Sequence, residues 1–446
     1  MFDFFWNLLF FVVALGVLIT FHEFGHYWVA RRCGVKVLRF SIGFGKPLFR
    51  RTGKTGTEYV VAAIPLGGYV KMLDERVDDV PPEQAHLSFN NKTVWQRIAI
   101  VAAGPLANLL LAVAAFWLMF VSGVMTVKPI IEGVVPESPA AQAGLDGRLQ
   151  IVEVSGRETP DWEAVNLALV AHIGDESLFL KAQQPGSGRA QSYQLDLRQW
   201  QFDPETQTAV RSIGFEPFRP SIQLVIDQVE PSTPAAAAGF AVGDEIVAVN
   251  GQFVPDWHDI AKIIQQSPEQ VINFDVKRNE QVVTLSATPG DKNGRGYLGI
   301  APTVEPWPEH YVFNLTYGPL EAIGKAADKT WQLITLSISM IGKLITGDVS
   351  VKNLSGPISI AQGAGTSASF GFVYFLGFVA LISVNIGIIN LLPLPVLDGG
   401  HLLYYFIELL SGRPVPEKIQ EVGFKIGSVA LMMLMGLALF NDFSRF

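Results

Sequence analysis

Phe21-His22-Glu23-Phe24-Gly25-His26 is the stretch whose residue types and spacing can do chemistry. Two histidines at i and i+4 share one helix face, one turn apart. That spacing lets both imidazoles bind one Zn²⁺, with Glu23 beside them as general base toward a water. The pattern closes an apolar run that reads as membrane-spanning, where ionisable groups are costly and usually functional. With only seven histidines in 446 residues, a chance match is uncommon. The plainer alternative is a histidine pair capping the helix at the interface. It leaves Glu23 beside apolar surface with no partner, a difficulty that a divalent cation removes.

A second polar group stands at the far end of the chain. Asn390-Leu391-Leu392-Pro393-Leu394-Pro395-Val396-Leu397-Asp398-Gly399-Gly400-His401 follows an apolar run, Phe370 to Leu392, that holds no Lys, Arg, Asp or Glu. Two prolines and two glycines within eight residues cannot hold a regular helix. Broken backbone at membrane depth is tolerated only where it is buried in protein or lines a cavity. Asp398 is the natural third ligand, because its oxygen completes an N₂O set and leaves a fourth position open. The alternative is an interfacial carboxylate solvated in the short loop before Gly412.

These residues need a membrane framework, and the composition supplies one. The chain is 49% hydrophobic and 17% charged, with mean hydropathy +0.30, too apolar for one soluble protein. A net charge of −8 without a basic stripe argues against nucleic acid. The lone Cys33 excludes an intramolecular disulfide. Residues 4 to 21 carry no charge, and no Lys or Arg precedes them, so an uncleaved transmembrane helix is expected rather than a signal peptide. Arg31, Arg32, Lys36, Arg39, Lys46, Arg50, Arg51 and Lys54 follow it, which places this loop in the cytoplasm, the N-terminus outside and the histidines toward the cytoplasmic side.

Val35 to Ser41 and Glu58 to Ala63 read as strands around a Lys54-Thr55-Gly56 turn. This hairpin is either an ordinary connection or a sheet that accepts an extended substrate by strand addition. Asp74 to Gln84 reads as an acidic surface loop. Ile98 to Val121 is a second span, where Pro105 predicts a kink and Asn108 a bond to a neighbouring helix. Pro319 to Ile345 has the spacing of an amphipathic helix, at the outer membrane surface or packed on the domains before it. Leu402 to Leu410 reads as a short interfacial helix and Val422 to Leu439 as a fourth span.

Between the second and third spans the chain is polar and duplicated. Val135 to Gly144 matches Glu230 to Gly239 at a register of 95 residues, which continues through Ile151 and Ile246, Val154 and Val249, and Asp161-Trp162 and Asp256-Trp257. A self-match of this quality means two related domains. The first copy carries about ten extra residues, placed near Gln184 to Gln191 and Gln199 to Thr208. The copies resemble PDZ domains of the bacterial type, on S-x-P-A-A-x-A-G and on Gly243-Asp244-Glu245-Ile246 with Val249-Asn250-Gly251. The first copy departs at Gly147-Arg148-Leu149-Gln150. The resemblance implies peptide binding at a sheet edge, here Ile213, Gly214 and Phe215 in one copy and Leu298, Gly299 and Ile300 in the other. Both copies are alternatively steric spacers with no ligand.

H-E-x-x-H in the first span with N-x-x-P-x-P-x-L-D-G-G in the third resembles the site-2 protease family of intramembrane zinc metalloproteases, over nearly the whole chain. The resemblance implies one Zn²⁺ per chain held by His22, His26 and Asp398, with Glu23 as catalytic base. It implies that Asn390 helps hold the substrate, that Gly43-Phe44-Gly45 begins a membrane-associated sheet, and that Gly104 to Asn108 is a family motif. The broken segment with Pro393 and Pro395, and the hairpin with Gly43 and Gly45, would keep the substrate extended. The implied substrates are transmembrane proteins, such as an anti-sigma factor already cut by a site-1 protease, and remnant signal peptides. The setting is regulated intramembrane proteolysis in the envelope stress response of Gram-negative bacteria. The PDZ pair would act as a size filter and bind periplasmic peptides.

The fold class expected is therefore a polytopic α-helical membrane protein with four transmembrane helices, a membrane-associated β-hairpin or sheet and two tandem extramembrane PDZ domains. It lies in the bacterial inner membrane, with both termini and the PDZ domains periplasmic. The chain divides into a first transmembrane helix with the H-E-x-x-H (1-31), a cytoplasmic loop with the hairpin (32-96), a second transmembrane helix (97-124), a first PDZ domain (125-220) and a second (221-306). A periplasmic amphipathic-helix region (307-367) follows, then the third transmembrane helix with the broken segment (368-401), and an interfacial helix with the fourth transmembrane helix (402-446). Two other classes remain open: a non-catalytic PDZ membrane scaffold, which has no need of Glu23, and a metal transporter, for which the spans lack further acidic or histidine residues.

Overall fold

The computed structural model describes residues 2–444 apart from 78, 203–206, 293, 347, 348, 350, 352 and 353. Its helices of more than ten residues are α1 Phe2–Arg32, α2 Val94–Ser122, α3 Pro319–Thr346, α4 Pro357–Ser369, α5 Phe372–Leu391, α6 Asp398–Ser411 and α7 Glu417–Ser444. Among the described residues four of these, α1, α2, α5 and α7, are long and apolar enough to cross a membrane. α1, α2 and α7 reach a few residues beyond the apolar runs that mark them in the sequence, because polar ends continue the hydrogen-bonded spiral, whereas α5 stops just inside its run, between Gly371 and Leu392. Thr93 starts α2 with a capping box: its hydroxyl accepts from Gln96 N–H, and the Gln96 side chain accepts from Thr93 N–H.

Between α1 and α2 the hairpin is larger than its alternation suggests. Its strands are β1 Val37–Thr52 and β2 Glu58–Met72, and both bend back on themselves. Residues 37–42 pair with 58–61 on one side and with 68–72 on the other, while 47–52 pair with 58–62. The sheet thus runs 47–52, 58–62, 37–42, 68–72 across its width. Among the described residues no strand covers the outer edge of 68–72. The bend needs Gly67, whose φ of +121° favours glycine and whose Cα lies against the Phe44 ring.

The duplicated segments fold alike. In the first copy the strands lie in the order Gln191–Asp196, Ser177–Gln183, Leu149–Val154, Ile130–Val134, Phe215–Pro217; in the second, Gln281–Ala287, Ile272–Arg278, Glu245–Val249, Ile222–Val229, Ile300–Val304. A helix packs on each sheet, Trp162–Ala171 and Trp257–Gln266, started by Asp161 and Asp256 as N-caps. Each copy has its own apolar core, around Ile151, Leu169 and Phe215 and around Ile246, Ile260 and Phe274. Of the extra residues in the first copy, 184–190 connect two strands and Gln191 begins the second of them, while those at 203–206 lie outside the described residues.

The departure at Gly147 to Gln150 has a physical counterpart. In the second copy Asp244 is fully buried and takes two hydrogen bonds of 2.7 Å from the Arg278 guanidinium and one of 2.9 Å from Ala241 N–H. Burial alone would raise its pKa, but these donors hold the carboxyl below its ordinary range. In the first copy Leu149 takes that register position and is nearly buried, while Arg148 turns outward to pair with Glu132. A buried carboxylate held by a partly exposed arginine in one copy is replaced by an apolar contact in the other.

Helix α3 packs on the spans and on the first copy. Ala322, Ala326 and Leu333 sit on Phe116, Phe120, Val384 and Ile388 of α2 and α5. Along much the same face Lys329 pairs with Glu163 at 2.9 Å, and Lys343 donates to the carbonyl of Ile173, both partners in the first copy. Helix α4, which the sequence merges into a mixed stretch, braces α1: Gly365 lies against Asn7, and its carbonyl accepts from the Trp6 indole at 3.0 Å.

Candidate metal and catalytic site

Three helices meet at the histidines. α1 carries His22, Glu23 and His26, α2 lies against them, and α6 brings Asp398. Helix α6 begins at Asp398 itself, so the expected short helix of Leu402 to Leu410 is one turn longer at its start. The break before it is a tight turn: Leu394 N–H donates to Leu392 O, and Leu397 N–H to Leu394 O. That turn folds back onto Gly399 and Gly400, where a Cβ would meet the carbonyls of Leu392 and Leu394. The glycines after Asp398 are therefore required by close backbone packing. Arg97 of α2 pairs with Glu408 of α6 at 2.6 Å, both sides largely buried, and lies over the Tyr405 ring. This tie holds α6 to α2.

Helix α2 meets α1 through glycines. A Cβ on Gly25 would overlap the Ala103 carbonyl, and a Cβ on Gly104 would overlap His26 Nε2. The Gly104-Pro105 pair thus makes room for a ring. His26 Nδ1 lies 2.9 Å from the carbonyl of Ile100, which only accepts. In the neutral ring the proton is therefore on Nδ1, and Nε2 presents a lone pair.

His22 Nε2, His26 Nε2 and Asp398 Oδ2 form a triangle with sides of 3.2, 3.3 and 3.4 Å. A tetrahedral ion with bonds of about 2.0–2.1 Å separates its ligands by roughly 3.3–3.4 Å. Asp398 Oδ2 is buried and has no hydrogen-bond partner among the described residues. A buried carboxylate oxygen left this way is costly, and a shared cation satisfies it. The donor set and its spacing fit zinc.

The site opens into a cavity of about 900 Å³. Its wall includes His22, Glu23, His26 and Asp398, the sheet edge Gly68 to Met72, and Arg97, His401 and Tyr405. Glu23 is 9% exposed. Gly68 leaves it room, since a Cβ there would stand 2.9 Å from Glu23 Cγ. Asp74 and Arg76, expected on a surface loop, also line this wall.

The other candidate residues lie elsewhere. Asn390 is half-buried at the end of α5, and Pro393 and Pro395 lie on the turn that leads to Asp398; none of the three is in the cavity wall. Gly43 and Gly45 sit at the bend of β1, both at φ of +88°, packed on Ala62 and Ile64 rather than at the site. Ile213-Gly214 is a turn, and Leu298-Gly299 an irregular connection, each leading into the edge strand begun by Phe215 or Ile300. Gly214 and Gly299 press on Ser138 and Thr233, the two equivalent residues of the repeat. Sequence reasoning missed Gly68 to Met72 as a wall of the site. The signal available was Gly67-Gly68 within an otherwise apolar strand, which marks a bend or a close approach.

The family model for peptidase family M50 matches residues 10–434. The chain is 54% identical over 445 residues to "Protease RseP" of Yersinia pestis, with 99% of each chain covered. It is 53% identical over 449 residues to "Regulator of sigma-E protease RseP" of Escherichia coli (strain K12), covering both chains completely. To "Regulator of sigma E protease" of Haemophilus influenzae it is 45% identical over 444 residues, covering 99% of this chain and 100% of that one.

Proposed function

The chain belongs to peptidase family M50, the site-2 proteases, and on that premise we propose that it hydrolyses peptide bonds within the transmembrane segments of single-span membrane proteins, using one zinc ion per chain. The observation that carries this reading is the triangle of His22, His26 and Asp398, with both histidines on a helix long and apolar enough to cross a membrane. When bound there, zinc supplies Lewis-acid activation of water and of the scissile carbonyl. Glu23 takes the proton of the attacking water and returns it to the leaving nitrogen.

A helical substrate hides its carbonyls in hydrogen bonds, so it must be unwound before attack. The uncovered edge of 68–72, in the wall of the same cavity, suits this task by adding the substrate as a further strand. Asn390, Pro393 and Pro395 act at one remove, by shaping the turn that aims Asp398. Gly43 and Gly45 act likewise, by bending the sheet. The two repeats are PDZ domains, and each ends its sheet in an edge strand where a peptide can add. With the first copy held to α3 through Glu163 and Ile173, the pair works as a periplasmic size filter. Two of the relatives are named for regulation of sigma-E; a single-span anti-sigma factor is a substrate whose cleavage would act in that direction, and remnant signal peptides share its single-span form. Positive charge after α1 supports an inner-membrane orientation with both termini and the repeats outside.

The test is cleavage of a tagged single-span substrate in vesicles holding the purified protein, with the products read by mass spectrometry. The new termini are expected inside the apolar segment, and a bulky folded domain on the outer side of the substrate is expected to suppress the cut. Termini only in the flanking soluble regions would refute the intramembrane reading.

A further inference from the structure

Asn108 of α2 is fully buried beside the site. Its Nδ2 lies 3.2 Å from His22 Nδ1, and its Oδ1 is buried with no hydrogen-bond partner among the described residues. An amide nitrogen only donates, so this placement needs a lone pair on Nδ1 and puts the proton of the neutral ring on Nε2. That proton points at His26 Nε2 and Asp398 Oδ2, 3.2 and 3.3 Å away, where a cation requires a lone pair. His26 has no such conflict, because the Ile100 carbonyl fixes its Nδ1 as donor.

The two ends of the amide are nearly equal in size, so a half turn exchanges them with little movement of neighbours. The backbone need not shift either, since the Asn108 carbonyl is held by the Ser383 hydroxyl of α5 at 2.7 Å. We propose that Asn108 is a positioning residue whose amide fixes the tautomer of His22. With Oδ1 toward His22 Nδ1–H, it holds the tautomer whose Nε2 binds metal.

This inference rests on the zinc-protease reading, and the test separates the two. Zinc dissociation constants are measured by chelator competition for the purified wild type, Asn108→Leu and Asn108→Asp. Asn108→Leu is expected to bind zinc about 10–100-fold more weakly, the usual cost of losing a hydrogen-bonding partner behind a ligand. Asn108→Asp offers only acceptor oxygens and is expected to stay within a few-fold of wild type. Leu binding as tight as wild type overturns the proposal, and so does an Asp variant as weak as Leu. If the Leu variant does not fold, Asn108→Asp decides alone: retained affinity supports an acceptor at Nδ1, and lost affinity excludes it. A wild type that binds no zinc would instead overturn the protease reading itself.

Discussion

Glu23→Gln is expected to abolish measurable cleavage while leaving the zinc content and the fold as in the wild type. Gln has the size and shape of Glu, so the packing around Cγ, including the approach of Gly68, is unchanged. What it loses is the ability to take a proton from the attacking water and return it to the leaving nitrogen. A positioned general acid and base contributes about 10²–10⁴-fold in rate. Single-turnover cleavage of a transmembrane peptide, with metal content measured on the same sample, checks this. Full activity in the variant would remove Glu23 from the chemistry.

The other large effect is expected from a residue that has no chemistry. Gly104→Ala places a methyl group where His26 Nε2 now sits, and that nitrogen is one of the three proposed ligand atoms. The ring must swing away or α2 must back off from α1, and either movement opens the triangle. Zinc affinity is expected to fall by more than about 100-fold, beyond the usual cost of losing a second partner behind a ligand. Cleavage falls with it. The helix itself is not weakened, because Ala is about 1 kcal/mol better than Gly in a helix interior. A folded variant without zinc, judged by circular dichroism and metal analysis, is the expected outcome. A variant that keeps its zinc and its cleavage would show that the close approach of Gly104 does not constrain the site.

How much of this was legible beforehand follows from which residues act locally. The i, i+4 histidines and the run of prolines and glycines around Asp398 are short-range patterns, and both mark positions that the fold brings together at 3.3–3.4 Å. The duplication was legible too, because a repeat is a comparison of the chain with itself, and the two copies share one strand order. Gly68 and Gly104 were not legible as parts of the site. A glycine records only that something comes close, not what, and their partners Glu23 and His26 lie 45 and 78 residues away. The bends of β1 and β2 were hidden for a related reason: alternation gives a strand its faces but not which of its stretches pair. The Leu149 and Asp244 contrast was visible as a departure from a motif, and its meaning needed the position of Arg278.

The most direct measurement is metal content together with zinc-edge absorption spectroscopy on the purified wild type and on Asp398→Ala. The expected result is one zinc per wild-type chain with nitrogen and oxygen neighbours and no sulfur, and loss of that zinc in Asp398→Ala. A wild type without zinc, or an Asp398→Ala variant that holds a full equivalent in the same coordination, would contradict it.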